Sequence, residues 1–554
     1  MASMTSGWAQ GYFISGQGLG ISALIATLPI LVLLFLLAVL RKPAWIAALS
    51  GLVASMLLAV VGYRMSAQHV VSSAAYGACF GIFPICWIIL WALVLYEITV
   101  RTGKFEVIKE SIGNITPDRR MQALLIAFAF GAFLEGCAGF GTPVAVAAAM
   151  MVGLGFSSFY ASSICLLANT APVAFGSIGI PLITLAGITS LPLNSLSASV
   201  GRICAPISLF LPAYLILVTS GWPAMLEIWP AVLVSGAAFA SVQFLVSNFI
   251  GPQLTDVLAS TAAMGGLILL LRFWTPRSTA RVKVGHESNS LTGASNLPDA
   301  TRPRFTRREI WLAWMPYGFL VLFVLAWGYQ PVVALLNKAS ITFPWPGLHN
   351  QILRTPPVAL VPVRYAAIYN FSWLSASGTS CMFASIFSAL FSKLTLRAFF
   401  NIIRTVLHKL IRPVATIASM LALAFVMNYS GATGTLGLAF SATGNLFPFF
   451  SPLMGWLGVF LTGSDTSANA LFGNLQVVSA TRLGFSPILM ASANSAGGVM
   501  GKMISLQTIA VAAAATNMST EDQAKLFRFT MRHSIFLAIV VGLEVLLYAH
   551  LRMG

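Results

Sequence analysis

Charged residues are scarce in this chain. Only 8% of its 554 residues are Asp, Glu, Lys or Arg, whereas soluble domains carry about 25%. Hydrophobic residues make up 58%, and the mean hydropathy is +0.87. This composition excludes an ordinary soluble domain. Long apolar runs of about 20 residues span a bilayer as helices, so the sequence predicts an all-α polytopic membrane protein.

Acidic residues are rarer still than basic ones. There are 14 Asp and Glu against 31 Lys and Arg, which gives a net charge of +17. The basic residues cluster in short segments between apolar runs, which is the positive-inside pattern, and no nucleic-acid-binding signature accompanies them. The charge therefore indicates membrane lipid and no nucleic acid as a partner. It predicts four cytoplasmic segments, at residues 41–42, 101–120, 272–308 and 393–412.

Signatures of catalysis and metal binding are missing. The six cysteines lie in apolar runs without a CxxC pair, so neither a zinc site nor a disulfide framework is indicated. No HExxH or GxSxG motif occurs. AGGVMGKM (residues 496–503) departs from a P-loop, because Ala replaces the first Gly and Met replaces the required Ser or Thr. The sequence predicts neither an enzyme nor a bound cofactor or metal.

The stretch that organises the chain is residues 131–181. No Asp, Glu, Lys, Arg or His occurs from residue 136 to residue 201, yet the stretch contains Glu135 and two strong helix breakers, GTP (141–143) and NTAP (169–172). Broken helices at membrane depth are tolerated only where they are buried or line a cavity, and in transporters they form the substrate site. A Pro kink would explain one break. Two breaks beside a lone Glu favour a site.

A second stretch repeats the features of the first. LGFS (154–157) recurs as LGFS (483–486). Glu135 precedes the first copy and Asp465 the second, and an Asn-hydroxyl pair follows each copy: Asn169 with Thr170, and Asn494 with Ser495.

Such weak internal symmetry is expected of a transporter with duplicated halves. We therefore expect about 12–14 transmembrane segments in two inverted repeats with re-entrant or broken-helix hairpins. They form a single transporter domain over residues 1–554, with a first half at 19–271, a cytoplasmic loop at 272–308 and a second half at 309–554.

The breaks supply groups that suit a small carboxylate. Glycines let the backbone approach a ligand closely, side-chain amides and hydroxyls donate and accept hydrogen bonds, and a lysine can pair with an anion. The predicted substrate-binding residues are Gly139, Gly141, Asn169, Thr170, Ser467, Asn494, Ser495 and Lys502. Small polar residues also join membrane helices, so that alternative stays open for each of them.

Two carboxyls are the predicted proton carriers. A charge at mid-bilayer costs at least about 2.5–3.5 kcal/mol, and a carboxyl avoids that cost by staying protonated. Glu135 and Asp465 are the best placed, because they sit at the breaks. Glu227 and Asp256 lie nearer predicted helix ends, where an interfacial position is expected.

Four long segments carry a resemblance to a known family. They are GAFLEGCAGFGTPVA (131–145), NTAPVAFGSIGIP (169–181), FPFFSPLMGWLGVFLTGSDTSANALFG (447–473) and ANSAGGVMGKMIS (493–505). The chain resembles the bacterial L-lactate permease family. The resemblance implies proton-coupled uptake of L-lactate, D-lactate and glycolate across the plasma membrane (the bacterial inner membrane), and a fold of inverted repeats with re-entrant hairpins.

Three residues beside the predicted site depart from the family's usual pattern. Cys137 and Thr142 stand where Ala is usual, and Leu506 stands where Pro is common. The preferred hydroxy acid therefore stays open, as do the proton stoichiometry and whether the chain forms a homo-oligomer.

Other functions remain to be separated from this one. A sodium-coupled carboxylate or dicarboxylate symporter of the same fold group would need more cation-ligating oxygens and a second partner for the anion. A sensor or channel is disfavoured because residues 272–308 are too few for a signalling domain. An intramembrane enzyme would need a catalytic constellation that the sequence lacks.

Overall fold

Helices dominate the structure. The computed structural model describes residues 7–40, 42–113, 115–139, 141–276, 305–359 and 361–551. In that part of the chain, 11 helices are long and apolar enough to cross a membrane, or up to 13 if each of two bent pairs is one span. The all-α polytopic prediction is confirmed, and the predicted 12–14 segments overlap this range. Residues 277–304, most of the predicted cytoplasmic loop, lie outside the described residues.

Fifteen α-helices are described before that gap. They are α1 (Leu19–Ala26), α2 (Leu28–Ala38), α3 (Ala44–Val61), α4 (Ala67–Phe80), α5 (Trp87–Arg101), α6 (Lys104–Gly113), α7 (Arg119–Gln122), α8 (Gly131–Cys137), α9 (Thr142–Gly153), α10 (Ser158–Ala168), α11 (Gly176–Thr189), α12 (Leu193–Ser220), α13 (Trp222–Glu227), α14 (Trp229–Phe249) and α15 (Thr255–Phe273). Wider π-helical turns at Gly81–Cys86 and Ala123–Phe130 join α4 to α5 and α7 to α8.

Ten α-helices follow the gap. They are α16 (Arg307–Gly328), α17 (Gln330–Asn337), α18 (Ser377–Phe391), α19 (Leu396–Ser430), α20 (Ala432–Phe440), α21 (Phe447–Thr462), α22 (Asp465–Leu483), α23 (Pro487–Lys502), α24 (Leu506–Ala515) and α25 (Thr520–His550).

Short strands cover one end of α19. The strands are β1 (Trp8–Ala9), β2 (Ile341–Pro344), β3 (Ile352–Arg354), β4 (Val363–Arg364) and β5 (Ile368–Phe371). β1 pairs parallel with β3, β3 antiparallel with β4, and β2 antiparallel with β5. Beside β1, the Gln10 amide donates to the carbonyls of Asn428 and Tyr429 at 2.9 and 2.8 Å. These carbonyls end α19 and would otherwise lack partners.

The core and the lipid-facing surface are clearly divided. In the helix Arg119–Cys137, the most apolar 18-residue stretch is 100% buried inside the protein. In the helix Ala44–Val61, only 28% of the residues are buried. Large apolar side chains such as Phe249 and Phe273 are exposed on the outer helices. In a membrane protein such a surface faces lipid, so the stretch predicted to carry the site lies at the protein centre.

The first broken region follows from its Gly and Pro residues. The chain turns after α8, and Gly141, with φ +81°, precedes α9, whose first turn holds Pro143. Pro suits this position because the first helical N–H has no intrahelical partner. The helix Ser158–Ala168 is then bent by 66° from Val173–Thr189. Both predicted breaks are therefore present.

The second broken region has the same order of elements. Helix α21 ends at Gly463 (φ +73°), Ser464 caps α22 by accepting a hydrogen bond from the Ser467 N–H, and α23 is separated from α24 by residues 503–505. The two regions differ in one respect. Glu135 lies on α8, before the turn of the first hairpin, whereas Asp465 is the first residue of α22, directly after the turn of the second hairpin. The two carboxyls thus do not hold equivalent positions, and inverted symmetry stays a prediction.

Glycines bring α21 and α23 into backbone contact. A Cβ on Gly455 would overlap the Asn494 carbonyl, one on Gly497 the Pro452 carbonyl, and one on Gly501 the Trp456 carbonyl. Any larger residue would force the two helices apart. The sequence ANSAGGVMG therefore fixes how α23 seats against the second hairpin.

Candidate functional site

A cavity of about 280 Å³ lies where the two broken regions meet. This is near the lower end of the range for small-molecule sites, about 300–1,000 Å³. Five of the predicted residues line it: Glu135, Gly141, Asp465, Ser467 and Lys502. The two stretches that resemble each other in sequence thus both contribute residues to one cavity.

Several helix N-termini converge on this cavity. Gly141 precedes α9, Ser464 precedes α22, and Gln507 and Thr508 lie in the first turn of α24, and all four residues line the cavity. The N–H groups at a helix N-terminus lack intrahelical partners and carry about half a positive charge together. Such an arrangement suits an anion.

Lys502 is the buried cation of the site. It is 8% exposed, and its ammonium donates a hydrogen bond of 2.8 Å to the Gly463 carbonyl at the tip of the second hairpin. Its charge attracts both Glu135 and Asp465, yet it forms no ion pair within 4 Å with another described residue. Lys502 is therefore held in place by the backbone and keeps its charge available to the cavity.

Asp465 presents one fixed and one open oxygen. The residue is 3% exposed. Its Oδ2 accepts hydrogen bonds from the Ser495 hydroxyl at 2.5 Å and the Asn469 amide at 3.3 Å. Its Oδ1 has no hydrogen-bond partner in the part of the chain that is described, and Gly498 leaves room for it, since a Cβ there would overlap that oxygen. The open oxygen can bind a proton or a ligand.

A polar network behind Asp465 holds it in position. The Asn494 amide donates to Asn469 Oδ1 at 2.9 Å, and the Gln476 amide donates to Asn494 Oδ1 at 3.3 Å. Asn494 and Ser495, predicted to bind substrate, are completely buried here and do not line the cavity. In this conformation they orient Asp465.

Asn469 and Gln476 were missed by the sequence reasoning. Asn469 lies four residues after Asp465, one helical turn along the same face. That spacing is a usable signal once Asp465 is placed at a helix start.

Glu135 stands on the opposite side of the cavity. It is 4% exposed, and its Oε2 has no hydrogen-bond partner among the described residues. A Cβ on Gly176 would lie 2.8 Å from Oε1, so glycine there leaves the space that the carboxyl occupies. The Asn169 amide is the polar group next to Glu135, and it makes no hydrogen bond to any other described residue. The Thr170 hydroxyl instead donates to the Leu167 carbonyl at 2.7 Å.

The first turn of α11 is a strained segment. Ser177, Ile178 and Gly179 have φ of +48°, +61° and +76°, a left-handed run that non-glycine residues rarely adopt. The Ser177 hydroxyl donates to the Ala138 carbonyl at 3.2 Å. Strain of this kind persists only where surrounding contacts hold it, and it concentrates at functional sites.

Gly139→Ala is expected to destabilise the protein. Gly139 has φ +59°, which costs a residue with a Cβ about 1–2 kcal/mol, and the added Cβ would overlap the Ser177 hydroxyl. The melting temperature of the purified protein should fall. Gly265→Ala is the matched control, because nothing lies within 4 Å of a Cβ there and φ is not left-handed. Equal melting temperatures for the two variants would contradict the role given to Gly139.

The remaining predicted residues lie around the cavity without lining it. These are Gly139, Asn169, Thr170, Asn494 and Ser495. Asp256 lies in the first turn of α15, near a helix end as expected, and it is buried inside the protein at 1% exposure; its position at the membrane interface stays a prediction. Glu227 is half exposed and pairs with the buried Arg120 at 2.6 Å, near a helix end as expected.

The rim of the cavity is formed by Pro43, Trp45 and Arg412, all of them exposed. Pro43 directly follows the basic segment 41–42, and Arg412 ends the basic segment 393–412. Both segments are predicted to be cytoplasmic. The exposed guanidinium of Arg412 adds positive potential at the entrance, which attracts anions.

Known proteins share this sequence over nearly its whole length. The chain is 44% identical to the L-lactate permease of Bacillus subtilis strain 168, over 98% of both chains, and 41% identical to the glycolate permease GlcA of Escherichia coli K12, over 99% of both chains. Neisseria gonorrhoeae MtrF, a solved structure, covers 87% of this chain and 83% of its own at 13% identity and a TM-score of 0.45, a likeness too distant to support an argument.

The sequence pattern of one family, described as L-lactate permease, matches residues 22–552. Its members named above are permeases, which are transporters and not enzymes. With its apolar spans, the chain is a multi-pass plasma-membrane protein. It belongs to the L-lactate permease family.

Proposed function

We propose that the chain carries L-lactate, D-lactate and glycolate into the cell together with protons, by alternating access. The observation that supports this most directly is the placement of one buried cation, Lys502, facing two buried carboxyls, Glu135 and Asp465, in a cavity lined by helix N-termini. The names of the relatives supply the substrate class.

The charges of the cavity favour coupling to protons. With both carboxyls ionised, Lys502 balances only one of them. One proton makes the three groups neutral, and an incoming substrate anion then makes them negative again unless a second proton binds. A net charge at membrane depth is costly, so anion and proton each favour the binding of the other, as linked ligands must.

The cavity suits a small monocarboxylate better than a dicarboxylate. Lys502 offers one buried ammonium, and the next cation, Arg412, is exposed at the rim. Ser467 lines the cavity and is available for a 2-hydroxyl group or the second carboxylate oxygen. A dicarboxylate would leave its second charge without a buried partner, which disfavours the sodium-coupled dicarboxylate alternative.

The rim residues adjoin two segments predicted to be cytoplasmic. On that prediction, we infer that this conformation opens toward the cytoplasm. Release of substrate and proton inward is the step that this conformation serves.

Uptake of labelled L-lactate into proteoliposomes tests the proposal. For one proton per lactate, an inside-alkaline gradient of one pH unit should give about tenfold accumulation, because one unit corresponds to about 1.36 kcal/mol. A potassium diffusion potential should not change it, since the transported pair is neutral. Replacing sodium by choline should have no effect, and D-lactate and glycolate should compete while succinate should not.

Two outcomes would contradict this function. Accumulation that survives collapse of the pH gradient by a protonophore would exclude proton coupling. Accumulation that requires sodium would favour the alternative symporter.

A further inference from the structure

Asp256 is a buried carboxyl with no evident partner. It lies in the first turn of α15 and is 1% exposed, and neither of its carboxyl oxygens has a hydrogen-bond partner among the described residues. Buried polar groups are normally bonded, and a buried, unpaired carboxylate is strongly unfavourable. Asp256 does not line the cavity, so the substrate does not account for it.

A close helix contact places Asp256 against α8, at the residue that follows Glu135. Gly136 follows Glu135 on α8, and a Cβ on Gly136 would lie 2.8 Å from the Asp256 Cβ and 3.1 Å from the Val257 nitrogen. The two helices can meet there only because residue 136 has no side chain. The charges of Asp256 and Glu135 repel each other when both are ionised.

Among the described residues, no cation lies beside Asp256 on the neighbouring elements, whereas Glu135 faces Lys502 across the cavity lining. Helices α8, α11 and α14 and the π-helical segment Ala123–Phe130 pack closely against α15. Glu135 and Cys137 are the titratable residues on them, and Cys204 on α12 also faces Asp256. On α15 itself, Arg272 lies at the opposite end. Asp256 therefore depends on Glu135 and a proton, and no ion pair neutralises it.

We propose that Asp256 and Glu135 form one proton-binding unit, in which Glu135 exchanges the proton with the cavity and Asp256 holds it behind the cavity. This inference rests on the proton coupling proposed above. Two carboxyls placed together in a low-dielectric interior cannot both stay ionised, so they share a proton and titrate as a pair.

Because the two carboxyls share no hydrogen bond in this conformation, they must first approach each other. An O–H bond of the Asp256 carboxylic acid then breaks, and the proton bonds to a carboxylate oxygen of Glu135. Asp256 becomes the carboxylate, Glu135 becomes the acid, and the net charge of the pair is unchanged. When a substrate anion occupies Lys502, Glu135 loses its compensating charge, and the proton on Glu135 restores the balance. Asp256 is a coupling group, distinct from the residues that contact the substrate.

Asp256→Asn tests the unit in the full-length protein in proteoliposomes. Two L-lactate assays are needed, namely uptake driven by a one-unit pH gradient and exchange of internal for external lactate at equal pH. We expect gradient-driven uptake to slow by about tenfold and its pH profile to move by about one unit toward lower pH, since interacting sites differ by more than about one unit. Exchange should stay within about threefold of the unaltered protein, because the cavity is intact.

Two further variants make the result decisive. Glu544→Gln changes another membrane carboxyl, on α25 and away from the cavity lining, and should leave both assays unchanged. Gly136→Ala keeps both carboxyls but separates α8 from α15, so it should also slow gradient-driven uptake.

The outcomes separate this inference from the proposed function. If the unaltered protein shows no gradient-driven uptake, proton coupling itself fails. If it does, and Asp256→Asn leaves uptake rate and pH profile unchanged, only the unit is overturned. If Asp256→Asn does not fold or loses exchange as well, Gly136→Ala decides: normal gradient-driven uptake in that variant overturns the unit, and slowed uptake with normal exchange supports it.

Discussion

Glu135→Gln should abolish lactate accumulation while leaving lactate exchange intact. The amide fills the space that Gly176 leaves for the carboxyl but cannot release a proton. Under a one-unit pH gradient, accumulation should fall from about tenfold to no accumulation. Exchange of labelled for unlabelled lactate moves no net proton, so it should continue at a similar rate. Both quantities are measured in the same proteoliposomes.

Glu97→Gln is the matched control. Glu97 also lies in a membrane helix, but it is paired with Arg101 at 3.3 Å and Lys409 at 3.2 Å, away from the cavity. It should retain accumulation and exchange. Loss of exchange as well as accumulation in Glu135→Gln would instead assign Glu135 to substrate binding or to folding, and Asp465 would become the carboxyl to test for proton transfer.

Lys502→Met should abolish both accumulation and exchange. Methionine keeps much of the length and apolar volume of lysine but removes the one buried positive charge that faces the cavity. Losing one partner of a buried charge pair costs about 2–5 kcal/mol, so the KM for lactate should rise about 100-fold or more. The expected contrast with Glu135→Gln separates binding from coupling, because only the lysine variant should lose exchange.

Lys409→Met controls for the loss of a lysine. Lys409 is exposed and contacts Glu97, and it does not line the cavity. Its removal should change the KM for lactate by less than about threefold, because exposed ion pairs contribute only about 0–1 kcal/mol. A normal KM in Lys502→Met would show that the helix N-termini bind the anion without the lysine, and the charge argument for proton coupling would fail with it.

The first hairpin tip was predictable because its causes are local. Gly141 and Pro143 set the backbone at the first hairpin tip by their own conformational limits. The position of this tip and of the predicted site stretch therefore follows from the amino-acid sequence. The tip at Gly463 and Ser464 has no proline and was not among the predicted breaks.

The direction in which individual side chains point was less predictable. Asn494 and Ser495 had the right chemistry for a carboxylate, but the glycine contacts of α23 with α21 turn them toward Asn469 and Asp465 instead of the cavity. Which side of a buried helix faces the ligand depends on packing against other helices, which local sequence does not reveal. Periodicity is uninformative where a helix is buried on every side.

The burial of Asp256 was not predictable either. Gly251 and Pro252 lie a few residues before it, and this pattern predicts a carboxyl near the end of a span. Its burial depends on the packing of α15 against α8, α11 and α14, including the close contact at Gly136. No local pattern carries that information.

The glycine contacts between α21 and α23 also determine what can move. The backbone contacts at Gly455, Gly497 and Gly501 pack α23 tightly onto α21, and Lys502 is tied to the tip of the same hairpin through Gly463. In the proposed alternating-access cycle, we therefore expect the hairpin, the broken helix and the Asp465–Lys502 charge arrangement to move together. The lysine and the aspartate would then keep the same relative positions on whichever side of the membrane the cavity opens.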